Sequence, residues 1–361
     1  MRKEEIEIKI KQIEQEIQET PYHKGTEHHI GKLKAKLAKL RNEIIQKSGK
    51  KGAGSGFAIK KQGDATVVLV GLPSVGKSTL LNKLTKAHSK VADYDFTTLN
   101  VIPGIMDYKG TKIQILDVPG LIQGASLGKG RGKEVLSVIR VVDLILMIAS
   151  AEKPEAFDLM EKELFLAGVR LNQKKPDVLI EKKLKGGIEI VNPPKSISEK
   201  TIKSIAQDLG VLNAKISFGQ NIDQDQFIDA LMGNRVYVPS LKIISKIDSV
   251  SKKELNKFFK REWLPVSALQ NIRINELKEK IFQKLNLIRI YLKKSIKANP
   301  DKQPLICQRG ITVFQAAAKI SQGLSQEIRG AKITGPSAAY ANQFVGPAHI
   351  LKDEDEVFFI K

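Results

Sequence analysis

Eight consecutive residues, Gly71-Leu72-Pro73-Ser74-Val75-Gly76-Lys77-Ser78, fill the pattern G-x-x-x-x-G-K-[ST]. Glycines at the fixed positions let successive backbone N–H groups wrap a polyphosphate. Lys77 can reach the outer phosphates, and the Ser78 hydroxyl can ligate magnesium. The pattern carries this meaning only where a buried strand feeds the loop and a helix leaves it, because the helix N-terminus adds partial positive charge. Thr66–Val70 (TVVLV) reads as that strand and the run from Thr79 (TLLNKLTKA) as that helix. The spacing predicts a nucleoside triphosphate site contacted by Gly71, Pro73, Ser74, Val75, Gly76, Lys77, Ser78 and Thr79, with Lys77 also acting on the reacting phosphate.

Three further segments fit such a site. Asp117-Val118-Pro119-Gly120 ends the apolar run KIQIL; there a carboxylate can hold magnesium and the Gly120 N–H can meet the terminal phosphate. Ser245-Lys246-Ile247-Asp248 follows the run YVPSLKII. Asp248 can accept two hydrogen bonds from the N1–H and exocyclic amine of guanine, a donor pair that adenine lacks, so it selects against ATP. Lys246 would lay its stem along the base, and Ser245 stands where asparagine or threonine is more usual. Ser267-Ala268-Leu269 comes next in order, its backbone N–H placed to meet the guanine oxygen. Between the phosphate loop and Asp117, the stretch Asp95-Phe96-Thr97-Thr98-Leu99 belongs to a loop that should supply a second hydroxyl to magnesium; spacing alone does not choose between Thr97 and Thr98.

These motifs need elements to position them. Short apolar runs at Lys112–Leu116 and Leu144–Ala149 read as buried parallel strands. The predicted class is α/β, a mostly parallel sheet with helices on both faces, occupying residues 63–160 and 236–289 and interrupted by an insert at 161–235. Upstream, residues 1–62 predict a basic helical hairpin: Ile6, Ile10, Ile13 and Ile17 form one seam, Leu33, Leu37, Leu40 and Ile44 another. The second helix carries Lys32, Lys34, Lys36, Lys39 and Arg41, either a nucleic-acid-facing surface or a solubilising one, and residues 50–56 read as a glycine-rich link. Residues 290–361 predict a compact α+β module.

With 60 Lys+Arg against 39 Asp+Glu, a formal charge of +21 favours polyanionic partners, RNA or the ribosome being the commonest. The single cysteine, Cys307, excludes an internal disulfide framework and suits a reducing compartment. No apolar run approaches the roughly 20 residues of a membrane span, and the charged N-terminus lacks a signal-peptide core, so a cytoplasmic location is expected. His28-His29 lacks further ligands at metal spacing and reads as an exposed helical pair. Cys307 reads as a buried strand residue and Asp353–Glu356 (DEDE) as a solvated acidic turn.

Taken in order, GLPSVGKST, DFTTL, DVPGLIQGASLGKGRGKEVLSVIR and SKID resemble the Obg-like GTPases. Within them the chain is most similar to the developmentally regulated GTP-binding proteins, a likeness that extends through AGVRLNQKKPDVLIEKKLKGGIEI and the C-terminal module. The resemblance implies a Ras-like P-loop domain interrupted by a helix-rich insert, a ubiquitin-like TGS domain at the C-terminus, and GTP or GDP with magnesium as ligands. It also implies association with ribosomes or RNA, a stabilising partner protein, and Thr98 as magnesium ligand beside Ser78 and Asp117. Leu121 and Ile122 follow the D-x-x-G motif where many GTPases place a water-orienting glutamine, so a low intrinsic rate is expected. Gln123 and Arg131 are secondary candidates for the chemistry. A potassium ion at Ser74, as some relatives use through asparagine, would be held only weakly by serine. A scaffold that keeps nucleotide without turnover is the alternative reading.

Overall fold

The computed structural model describes residues 3–47, 62–85, 101–118 and 132–361; the predicted link at 50–56 lies outside them. The chain divides into two compact units.

In one unit, six strands form the main sheet: β1 (Ala65–Gly71), β2 (Ile102–Tyr108), β3 (Thr111–Asp117), β4 (Leu144–Ser150), β5 (Ser240–Ser245) and β6 (Leu264–Pro265). Their order is β6-β5-β4-β1-β3-β2, with only β2 antiparallel to its neighbour. Because both faces are covered, β1 and β4 read as unbroken apolar runs rather than alternating ones. β1 lies between β3 and β4, so the connections leave it in opposite directions, the arrangement that opens a ligand crevice at the strands' C-terminal ends. Register delivers the motifs to that edge. Leu69 faces Asp117 on one side and Leu146 on the other, Gly71 faces Ile148, and Ser245 faces Ser150. Val67, Leu69, Ile113 and Leu146 pack with Leu80, Leu81 and Leu84 of helix Lys77–Leu84 and with Leu277 and Ile281 of helix Ile274–Lys284.

The same unit contains a five-stranded sheet in which strand Leu287–Leu292 runs parallel to the final strand, Asp355–Ile360. Helix Val313–Ile320 buries Val313, Ala316 and Ala317 against Ile288, Ile290, Ile333 and Val357. Thr312 and Gln315 form a reciprocal capping box at its start. Cys307 is buried in strand Leu305–Gln308. The acidic run 353–356 is not a solvated turn. Asp353 accepts from Arg289 N (2.7 Å), Nη2 (2.7 Å) and Nε (3.1 Å). Asp355 is fully buried and accepts from Ser337 N and Lys352 N. Its carboxylate fastens two turns, which charge density alone does not reveal.

The other unit holds the hairpin helices Lys3–Glu19 and Glu27–Lys47, helix Gly132–Ile139 and the segment Asp158–Val238. Ile6 and Ile13 pack against Leu33, Leu37, Leu40 and Ile44, while Arg41 reaches Glu14 at 2.6 Å. The second helix has another packed face: Ala35 and Ala38 join Ile202, Ile205 and Phe227 of the insert. A Cβ on Gly31 would stand 2.9 Å from Thr201 Cγ2, so glycine permits this close approach. Lys34 pairs with Asp225 at 2.7 Å, leaving Lys32, Lys36 and Lys39 as the exposed stripe at helical spacing. His29, exposed, meets Glu16 at 3.0 Å.

The insert carries helices Glu199–Asp208 and Gln224–Met232 and also a three-stranded sheet, Val178–Lys182, Ala214–Phe218 and Ile188–Val191. The apolar run 236–244 is divided at Pro239. Val236–Val238 pairs with Val169–Leu171, so the insert's two ends lie side by side, and Ser240–Ser245 enters the main sheet. Buried Asp229 holds both ends, taking Arg170 through Nε (2.5 Å) and Nη2 (2.8 Å) and Arg235 Nε at 2.7 Å.

Candidate nucleotide site

The phosphate loop leaves β1 at Gly71, where a Cβ would lie 2.6 Å from the Ile148 carbonyl oxygen of β4. Gly76 has open space around it but φ of 90°, so glycine answers to backbone conformation there rather than to crowding. Ser74, exposed, also takes a left-handed conformation, φ 62°. Val75 is buried and anchors the loop in the core. Lys77 donates to the Gly71 and Leu72 carbonyls, at 3.0 and 2.9 Å, which folds its ammonium back over its own loop. Burial lowers its pKa, and Asp117 opposes that shift.

Asp117, at the end of β3, is 1% exposed. Ser78 Oγ donates to its Oδ2 at 2.9 Å, and its Oδ1 has no partner among the described residues. Burial raises the Asp117 carboxyl above its ordinary range, against the Ser78 hydrogen bond and the Lys77 charge. Such a buried, half-satisfied carboxylate beside a hydroxyl is a hard-oxygen donor pair suited to a small divalent cation.

The base end is more fully bonded. A cavity of about 240 Å³ is lined by Val75, Gly76, Thr79, Ser245, Lys246, Asp248, Ser267, Ala268 and Leu269, with Leu80 and Val266 behind them. After β5 the chain turns at Lys246 (φ 58°) into the short 3₁₀ turn Ile247–Ser249, which carries Asp248. Ser267 Oγ donates to Asp248 Oδ1 at 2.5 Å and accepts from Gln270 N at 3.1 Å, fixing the carboxylate's direction. Ser245 Oγ lies 2.6 Å from the Val75 carbonyl and 3.1 Å from that of Ala149. Its hydroxyl therefore ties the phosphate loop to β4, a structural role that the sequence reading, focused on the base, did not foresee. The Ser267 hydroxyl likewise has a role that its motif does not announce, beside the backbone N–H expected to meet the base. In both cases the signal was a small hydroxyl residue at a motif position. Phe96, Thr97, Thr98 and Gly120, with Gln123 and Arg131, lie outside the described residues.

The family described as 50S ribosome-binding GTPase matches residues 66–183, its C-terminal region 185–287, and the TGS domain 288–361. An uncharacterized GTP-binding protein of Methanocaldococcus jannaschii is 47% identical over 358 residues, covering 97% of this chain and 91% of the relative. Developmentally-regulated GTP-binding protein 2 of Homo sapiens is 39% identical, covering 98% of each chain. Ribosome-interacting GTPase 1 of Saccharomyces cerevisiae is 41% identical, again over 98% of each. The chain belongs to the developmentally regulated GTP-binding protein family.

It is accordingly a GTP-binding protein of the P-loop GTPase class, with a C-terminal TGS domain. GTPases of this class bind GTP and GDP and typically magnesium. Ser78 and the partnerless Asp117 Oδ1 fit that ion, and the Asp248 cavity fits a base bearing two adjacent donors. Among the described residues, no helix of this family member is long and apolar enough to cross a membrane.

Proposed function

We propose that this protein hydrolyses GTP to GDP and phosphate slowly on its own, and that its nucleotide state controls docking to ribosomes or RNA. The observation that carries the reading is the pairing of the Asp248 cavity with the Ser78–Asp117 donor pair beside the phosphate loop. Asp248 is held ready by Ser267, whereas Asp117 keeps an unused buried oxygen beside Ser78. Nucleotide completes the phosphate end: Lys77 exchanges its loop carbonyls for phosphate oxygens, and the loop's N–H groups take the remainder. Ser78, Asp117 and Thr98 would hold magnesium, which neutralises charge on the β- and γ-phosphate oxygens. The Gly120 N–H would meet the γ-phosphate, a contact that hydrolysis removes.

The low rate follows from Leu121 and Ile122, whose side chains cannot orient water. Docking is supported by the name of the yeast relative and by the exposed Lys32, Lys36 and Lys39 stripe. A stabilising partner protein belongs to the same proposal. Steady-state GTP turnover, measured with and without ribosomes, tests it. A rate raised by ribosomes is expected; undetectable turnover under both conditions would leave only a nucleotide-holding scaffold.

A further inference from the structure

A second cavity, of about 360 Å³, lies in the main-sheet unit and is lined by Pro154, Lys257, Phe258, Lys260, Arg261 and Trp263. It occupies the stretch between the Asp248 turn and the Ser267 segment, formed by the end of helix Lys252–Lys260 and the approach to β6. Its floor is aromatic. Trp263 stacks near Phe258 (centroids 6.1 Å apart, planes at 23°) and takes Phe157 edge-on at 4.9 Å. Its rim is cationic: Lys257, Lys260 and Arg261 are exposed, and the Arg261 guanidinium lies 5.1 Å over the Trp263 ring. No carboxylate is among the lining residues.

Helix-dipole complementarity accounts for lysines in the last turn of a helix. It does not account for a partly exposed tryptophan beside an open apolar hollow. Glu254 lies within electrostatic reach of Lys257, but the lining itself joins planar aromatic surface to three exposed cations, which suits a planar group attached to an anionic chain. We propose that this pocket binds single-stranded RNA, one base entering against Trp263 while the flanking phosphates meet Lys257, Lys260 and Arg261. The site is separate from the guanine cavity and from the hairpin stripe, and it requires no particular nucleotide state.

Trp263 is the chain's only tryptophan, so its fluorescence reports the pocket directly. With full-length protein loaded with GDP and magnesium, a uridine dodecamer is expected to quench it saturably. Three neutralised phosphates give a log–log salt slope of about −2, at roughly 0.7 per phosphate for a single strand. The surface double variant Lys257→Glu/Lys260→Glu should weaken binding about tenfold or more by that salt-dependent contribution and leave GDP affinity unchanged. Anisotropy of a labelled dodecamer should show Trp263→Phe, which keeps a stacking ring, binding more tightly than Trp263→Ala. Absence of quenching overturns the proposal, as does quenching indifferent to the double variant. Equal quenching by a glutamate oligopeptide of matched charge would identify an acidic protein ligand instead, and also overturns it. A Lys32→Glu/Lys36→Glu/Lys39→Glu variant separates the two readings: if it loses ribosome co-sedimentation while the dodecamer fails to quench, the docking function stands and the Trp263 site falls.

Discussion

The two ends of the nucleotide site are built on opposite principles. At the base end, hydroxyls already satisfy the groups that matter: Ser267 holds Asp248, and Ser245 bridges two backbone carbonyls. At the phosphate end, Asp117 is buried with one oxygen unpaired among the described residues, and Lys77 donates to two loop carbonyls. A preorganised base end reduces the ordering required on binding and gives discrimination. An incomplete phosphate end makes binding free energy depend on whatever fills it, as a nucleotide-sensitive device needs. The cost appears in the electrostatics, since burial disfavours the charged forms of both Asp117 and Lys77.

Substitutions at the two ends should therefore fail differently. Lys77→Ala removes the cation nearest the phosphates and is expected to weaken GTP and GDP by about a hundredfold or more, on the order of 3 kcal/mol for a charge-assisted contact. Guanine preference among the residual binders should survive. Asp248→Ala should do the reverse, losing the discrimination of guanine over adenine along with about 2–3 kcal/mol of affinity. Competition calorimetry with GDP and ADP on both variants checks the contrast. If Lys77→Ala altered the GDP-to-ADP ratio and Asp248→Ala left it unchanged, the division between the ends would be wrong.

Asp117 sharpens the comparison through pH. Its folded-state carboxyl titrates above the ordinary 3.8, burial being the largest cause, so the folded protein holds that proton more tightly than the unfolded chain. The resulting stabilisation is complete below the ordinary value and is lost as pH rises through the folded value. Above that folded value the ionised, half-satisfied carboxylate thus weakens the fold. Asp117→Asn is expected to stabilise that form, while abolishing the gain in nucleotide affinity that magnesium gives the parent. Denaturant unfolding at neutral and at acid pH tests the sign: the advantage of the variant should shrink on acidification.

The molecule's legibility follows the same divide. Chemistry on a phosphate chain and a guanine edge demands fixed residue types at fixed spacings, so Gly71–Ser78, Asp117 and Ser245–Asp248 stand out as motifs in the sequence alone. The hairpin seams were readable as well, because helical period exposes them. What escaped depended on partners far away in sequence. The Gly31–Ala35–Ala38 face seats the insert, Asp229 draws Arg170 and Arg235 together, and Asp355 fastens a turn begun at Ser337. The three-stranded sheet within the insert was hidden for a related reason: its strands are short and half-exposed, leaving no continuous apolar run.

The smallest expected effect lies at Ser245, which touches both ends by bonding the Val75 carbonyl of the phosphate loop while lining the base cavity. Serine stands here where asparagine or threonine is more usual. The structure gives the hydroxyl a different target, since both of its bonds run to main chain. Ser245→Ala should then cost about 0.5–1.5 kcal/mol, lowering GDP and ADP affinity alike. The ratio of the two constants should stay where Asp248 sets it. A specific loss of guanine preference in Ser245→Ala would instead make this residue part of the base-reading apparatus, and the two ends of the site would no longer be separable.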